Sequence, residues 1–296
     1  MTAVQAEIEP LARSDEQALD ALDLRLRAGW QRAVRRDRFW RIGMPILTAA
    51  LIGVVWQRSA TQGGFVIPTI PMFLASVVQQ LAGSRFWSAL VTSETALAVG
   101  FGAAVVLGIP LGLAAGRARA IEDVIDPYVS IAIITPMAII MPIMLMIFGL
   151  TFTARVVVVF IFAFPFVLVP VRAAVLTIAP ELWEMCRSYG ASELQLWWEL
   201  LLPGTLPAMV SGLRQGLAHG FSGMILVELL LLAVGVGRLL LQYQGSFDYS
   251  AIFAVVFLLV CESWLLMGGL AFLERRARGG GGQGDALVSM LSREFF

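Results

Sequence analysis

Four side chains able to exchange a proton or meet an ion fall inside long apolar stretches: Glu94, His219, Glu228 and Glu262. Ionisable groups in hydrocarbon are costly and mark bundle interiors or the pathways of solutes and protons. Their spacing assembles no catalytic centre. His219 and Glu228 are nine residues apart, about 180° out of phase at 100° per helical residue. His219 is the sole histidine, too few for a metal site, and Gly216, Gly220 and Gly223 around it suit close helix packing. A core histidine is the expectation, with a pathway residue as the alternative. Glu94 and Glu262 read as structural or interfacial. No Gly-x-Ser-x-Gly elbow occurs, and Gly235-x-Gly237 runs into Arg238 with no third glycine, so it is no dinucleotide fingerprint. All 21 basic residues are arginine. Without lysine there is no phosphate-binding G-x-x-x-x-G-K-[ST] loop and no Schiff-base chemistry. The chain is therefore not read as an enzyme, holds no metal or nucleotide cofactor of its own, and if it uses ATP, another chain must bind it.

A polar stretch, residues 179–207, is patterned rather than slack. Pro180 suits a first helical position, and Glu181 and Glu184 favour the positive end of that helix. Gly190 then stops it. Ser192 with Gln195 forms a capping box that opens a second helix through about Leu202, which Pro203-Gly204 is expected to end. Pro207 can open the next apolar helix. The result is two short helices meeting at a glycine corner.

These residues carry a resemblance. Glu184-Met185-Cys186, three residues, Gly190 with Ala191 after it, nine residues to Leu200, then Leu202-Pro203 has the spacing of the loop E-A-A-x3-G-x9-I-x-L-P. That loop marks the permease subunits of binding-protein-dependent ABC importers. Met185 and Cys186 stand where small alanines are usual, and Leu200 replaces isoleucine. Gly100-Phe101, Gly108-Ile109-Pro110-Leu111-Gly112, Pro136-x-x-Ala-x-x-Pro142 before Phe148-Gly149, Phe164-Pro165, Leu206-Pro207, Gly212-Leu213-Arg214, Glu228 and Gly235-x-Gly237 resemble the sulfonate, taurine and nitrate branch, so the similarity spans most of residues 65–276.

The resemblance implies an all-α integral membrane protein of the type I ABC importer kind, six transmembrane helices with a cytoplasmic two-helix coupling loop. It implies a second permease copy, a cytoplasmic ABC ATPase dimer that binds ATP and Mg and docks on the loop, and an extracytoplasmic solute-binding protein that delivers a small anionic or zwitterionic solute. Glu184, Met185, Cys186, Gly190, Ala191, Leu202 and Pro203 would couple to the ATPase. The family also has an acid at Glu228, which either lines the translocation pathway or hydrogen-bonds across the dimer. Pro136, Met137, Met141, Met144 and Met146 line a pathway or face lipid. The alternative is a secondary transporter or channel working without ATP. It calls for inverted repeats, and no repeat between the halves is evident.

The elements that must position these residues follow from composition. Of 296 residues, 58% are apolar and 14% charged, and the mean hydropathy is +0.82, against roughly 45–50% apolar and 25% charged in soluble domains. At about 20 apolar residues per crossing, six spans are expected: 39–56, 88–115, 124–150, 154–176, 206–234 and 250–273. Residues 65–81, with Pro68 and Pro71, read as an interfacial helix outside the bilayer. Cytoplasmic flanks collect arginine. With the N-terminus inside, the inner flanks hold the seven from Arg25 to Arg41 and Arg117, Arg119, Arg172, Arg187, Arg214, Arg275, Arg276 and Arg278, while the outer flanks hold only Arg58, Arg85, Arg155 and Arg238. Both termini are thus expected in the cytoplasm, in a multi-pass protein of the bacterial inner membrane in contact with lipid. Topology accounts for the arginines, so no nucleic-acid partner is expected.

Three regions result. Residues 1–38 form a cytoplasmic segment whose first 24 residues are polar and acidic, with no cleavable leader expected, followed by a basic amphipathic helix along the membrane. Residues 39–273 form the six-helix transmembrane domain, and 274–296 a cytoplasmic tail with a glycine-rich linker at 279–284. Cys186 and Cys261 fall on the cytoplasmic side and within a span, so no disulfide joins them.

Overall fold

The apolar stretches become helices because a backbone in hydrocarbon must satisfy its own hydrogen bonds, and no strand occurs among the described residues. The structure is a computed structural model that describes residues 43–62 and 66–278. The basic helix expected before residue 42 and the tail after 278 lie outside the described residues.

Contacts divide the chain into residues 1–70 and 71–296. The first unit contains α1 (Met44–Gln62), which buries no side chain; Trp56 Nε1 donates to Pro68 O at 2.8 Å, and Ile70 N donates to Gln57 Oε1 at 3.1 Å. All but the first residue of α2 (Ile70–Ala82), where an interfacial helix is expected, belongs to the second. That unit continues with α3 (Ser84–Arg117), α4 (Arg119–Ile134), α5 (Met137–Phe148) and α6 (Phe152–Leu176). The polar stretch supplies α7 (Pro180–Ser188) and α8 (Glu193–Gln195), a wider π turn over Leu196–Leu201, then α9 (Leu202–Val227). A second π turn, Glu228–Leu232, leads to α10 (Gly235–Gly245), and α11 (Tyr249–Arg278) closes the described chain.

The core lies where α6 is held between α3 and α9. On α3 a row of small residues, Ala96, Gly100, Ala104, Gly108 and Gly112, is buried at four-residue spacing. It meets the β-branched row Val159, Val167, Val171 and Val175 on α6. On α9 the small residues are Gly212, Gly216, Gly220 and Gly223. A Cβ at Gly212 would come within 2.8 Å of Val167 O. Lipid-embedded helices gain little from the hydrophobic effect between them, so close backbone approach over small residues supplies the packing. Pro165 and Pro170 lie inside α6 without ending it.

Three expectations are corrected. The span expected over 124–150 is two helices bent by 113° at Thr135-Pro136, because Pro136 offers no N–H and pushes Thr135 into the extended region (φ −72°, ψ 128°). Pro203-Gly204 does not end the second loop helix, which runs through the π turn into α9. Pro203 sits in the first turn of α9, where a missing N–H costs little. The fifth span does not simply run out at Val234: it breaks at Ala233 (φ 41°) and resumes as α10, bent by 45°. By length and composition three described helices can cross a membrane unbroken, or up to five if each bent pair counts as one span, and α1 is not among them. The first expected span begins outside the described residues.

Candidate functional site

The coupling residues are brought together at one end of the helices. Ser192 caps α8 through the expected box: Gln195 N donates to its Oγ, and its own N donates to Gln195 Oε1 at 2.8 Å. Gly190 closes α7 in the left-handed region (φ 78°), a conformation that costs a side chain about 1–2 kcal/mol. Glu193 then ties the loop to the bundle. Its carboxylate accepts from Arg117 at the end of α3 (3.3 Å) and from Arg187 on α7 (3.2 Å). The Arg117 guanidinium also lies 4.7 Å above the Trp183 ring. On the far side Arg172 of α6 pairs with Asp126 and, at 3.9 Å, with Glu122 of α4.

The outward surface of this loop is apolar as well as charged. Leu182, Met185, Tyr189, Leu194 and Trp198 are all exposed, Tyr189 by 87%. Of the expected coupling residues, Glu184, Met185, Gly190 and Pro203 are exposed, and Cys186, Ala191 and Leu202 are half-buried. Cys186 and Cys261 are free thiols.

The membrane residues do not form one site. Glu228, 0% exposed, is surrounded by its own chain, so the expectation of a bond across a dimer is corrected. Ser93 Oγ donates to Glu228 Oε2 at 2.6 Å, Gly237 N donates to the same oxygen at 3.3 Å, and Arg155 Nη1 donates to Oε1 at 3.4 Å. Arg155 Nη1 also donates to Thr92 O at 3.1 Å, and Val236 N donates to Ser93 Oγ at 3.0 Å. The carboxylate thus takes the Gly237 N–H across the break, and Ser93 takes that of Val236, at a helix start that favours negative charge. Gly235, between the two, has φ 59°, and a Cβ there would run into Ser93 Oγ and come within 2.6 Å of Glu228 Oε1. The Glu228 acid was visible in the sequence. Its partners Ser93 and Arg155, on other helices, carried no local signal.

Met141, 1% exposed, packs with Val158 and Val227, whereas Met146 is 87% exposed. Pro136 is exposed at the start of α5, the helix that Met137 opens. Glu94 and Glu262 each bury one carboxyl oxygen, Oε1 and Oε2, that has no hydrogen-bond partner among the described residues. His219 is exposed, which corrects the expectation of a core histidine. The neighbouring glycines turn toward α6 and carry His219 to the edge of that contact, where its ring stacks on Phe166 at 3.4 Å between centroids. The sequence reading missed that Ser211, Arg214, Gln215, His219 and Ser222 share exposure along α9; their three- and four-residue spacing was the available signal. Gln215 Nε2 donates to Ser211 Oγ at 3.2 Å. No cluster of three or more metal-ligating side chains occurs among the described residues.

Comparison with known proteins places this arrangement. The family model of the binding-protein-dependent transport system inner membrane component matches residues 108–279. The chain is 28% identical over 245 residues to the taurine transport system permease protein TauC of Escherichia coli (strain K12), covering 80% of this chain and 89% of the relative. It is 28% identical to the riboflavin transport system permease protein RibX of Chloroflexus aurantiacus, covering 82% and 92%. It is 25% identical to the nitrate import permease protein NrtB of a Synechocystis strain, covering 78% and 87%. In fold it is similar to a chain of the inward-facing MetNI methionine ABC transporter, with a TM-score of 0.52 at 24% identity, over 70% of this chain and 98% of that one.

Proposed function

The chain belongs to the family of binding-protein-dependent transport system inner membrane components, a multi-pass permease subunit of an ABC importer rather than a catalytic enzyme, and on that premise we propose how it couples and what it carries. The observation that carries the proposal is the loop. Its apolar exposed patch is what a protein partner buries, and the residues behind it run without a break from Glu193 to Leu232. Two cytoplasmic ATPase subunits, binding ATP and Mg, dock on α7 and the Gly190 corner of two permease copies. Their closure moves the loop, and the long helix carries that motion to the break before α10.

The polar face of α9 supports a paired permease with a wet pathway. Ser211, Gln215, His219 and Ser222 are poorly suited to hydrocarbon and well suited to a second copy and to water between the two. Both termini and the loop then lie in the cytoplasm, as the arginine bias requires, and the outer ends of α3 and α10 meet the solute-binding protein. The cargo is a small anionic or zwitterionic solute.

The test is capture and coupling. The purified chain retains an ABC ATPase, and solute uptake stops in cells lacking that ATPase; uptake that persists without it overturns the reading. Gly190→Val sharpens it, since a Cβ at Gly190 meets nothing within 4 Å and the change strains only the corner, by about 1–2 kcal/mol. Membrane insertion stays normal while ATP-driven uptake falls severalfold. Full uptake in that variant removes the corner from the coupling path.

A further inference from the structure

A second feature lies at the other end of the molecule, beside the buried Glu228 cluster. A cavity of about 670 Å³ opens between the start of α3 and α10, inside the roughly 300–1,000 Å³ range of ligand sites. Arg85 and Ser88 of α3 and Arg238, Gln242 and Tyr243 of α10 line it, with Ser246 at the end of α10. Its distance from the coupling loop follows from α3 itself: Arg117, at the loop end, is 32 residues from Arg85, about 48 Å at 1.5 Å per residue.

The charge balance inside the cavity is one-sided. Neither Arg85 nor Arg238 has an ion pair among the described residues, and no acidic side chain lines the wall. Glu228, which lies behind Gly235 of this wall, is already occupied by Arg155, Ser93 and Gly237. Glu228 and Ser93 also take the first N–H groups of α10, so attraction for an anion here rests on the two guanidinium groups. Tyr243 is fixed by reciprocal hydrogen bonds with Gln80 of α2, at 2.9 and 3.1 Å, which holds that wall in place. A planar guanidinium presents paired donors that match two oxygens of a carboxylate, sulfonate or similar oxyanion.

We propose that this cavity is an oxyanion-binding subsite at the outer mouth of the permease, in which Arg85 and Arg238 hold the charged head of a small solute against the polar side chains of Gln242 and Ser88. The proposal rests on the permease reading above and gives its cargo a charge. Because α10 follows the break at Ala233, the subsite is joined to the helix that begins at the coupling loop.

The test uses the full chain in phosphatidylcholine nanodiscs, titrated calorimetrically with methanesulfonate and with neutral dimethyl sulfone. Methanesulfonate binds and dimethyl sulfone does not. Arg85→Gln and Arg238→Gln each weaken binding at least fivefold, and the double variant loses it. The double lysine variant, which keeps the charge but not the paired donors, binds three- to tenfold more weakly than the native chain, and this keeps the result independent of misfolding. Equal binding of both probes, or undiminished binding by the double glutamine variant, overturns the subsite. Loss of methanesulfonate binding when phosphatidylglycerol is added identifies a lipid headgroup as the occupant and overturns the solute assignment. If binding fails while uptake still requires the ATPase, the subsite alone falls. If binding holds while uptake survives without the ATPase, the permease reading alone falls.

Discussion

The helical run from Glu193 to Leu232 carries a charged cluster near each end. At the loop end Glu193 pairs with Arg117 and Arg187, its own side chain 65% exposed. At the far end Glu228, 0% exposed, pairs with Arg155, 9% exposed. Water screens the first cluster, so each of its pairs is worth about 0–1 kcal/mol. The second is sealed from water and shares its hydrogen bonds among α3, α6 and α10. Removing one member there leaves a buried charge without compensation, at a cost of about 3–5 kcal/mol. One end is arranged to yield and the other to hold a broken helix in a fixed bend.

The contrast breaks most plainly at the buried end. Arg155→Met strands Glu228 and lowers stability by about 3–5 kcal/mol, read as a large fall in thermal unfolding temperature in nanodiscs. Arg155→Met with Glu228→Met recovers most of that loss, and a double variant no better than the single would show that the pair does not act as a unit. Gly235→Ala comes next. It meets Ser93 and Glu228 and requires a positive φ, which together cost about 2–4 kcal/mol. The same melting measurement checks it, and a change under 1 kcal/mol would mean that the break can relax. Glu193→Ala has the smallest effect, at most about 2 kcal/mol for its two pairs, and that effect fades in high salt because the pairs are screened. A large, salt-insensitive loss in that variant would erase the difference between the two ends.

Much of this architecture is legible along the chain. The helices over 84–117, 152–176 and 249–278 follow from runs of apolar residues, and the Ser192–Gln195 cap and the Gly190 corner follow from local rules of helix ends. What escaped was non-local. The glycines around His219 predict a buried ring, yet those glycines face α6 and turn it outward. Met141 packs against Val158 and Val227, on other helices. The apolar run over 124–150 looks continuous, while the Thr135-Pro136 pair bends it by 113°.

By itself the sequence determined the membrane setting, the absence of a phosphate-binding lysine and the loop that marks an ABC importer permease. Each depends on composition or on residues within about 20 positions of one another. Tertiary structure alone decided that Glu228 is sealed among Ser93, Arg155 and Gly237, and that Arg85 and Arg238 face one cavity. These groups lie 73 to 153 positions apart (Arg155 to Glu228, Arg85 to Arg238), and only the packing of α3, α6 and α10 sets whether such charges meet a partner or remain open to a ligand.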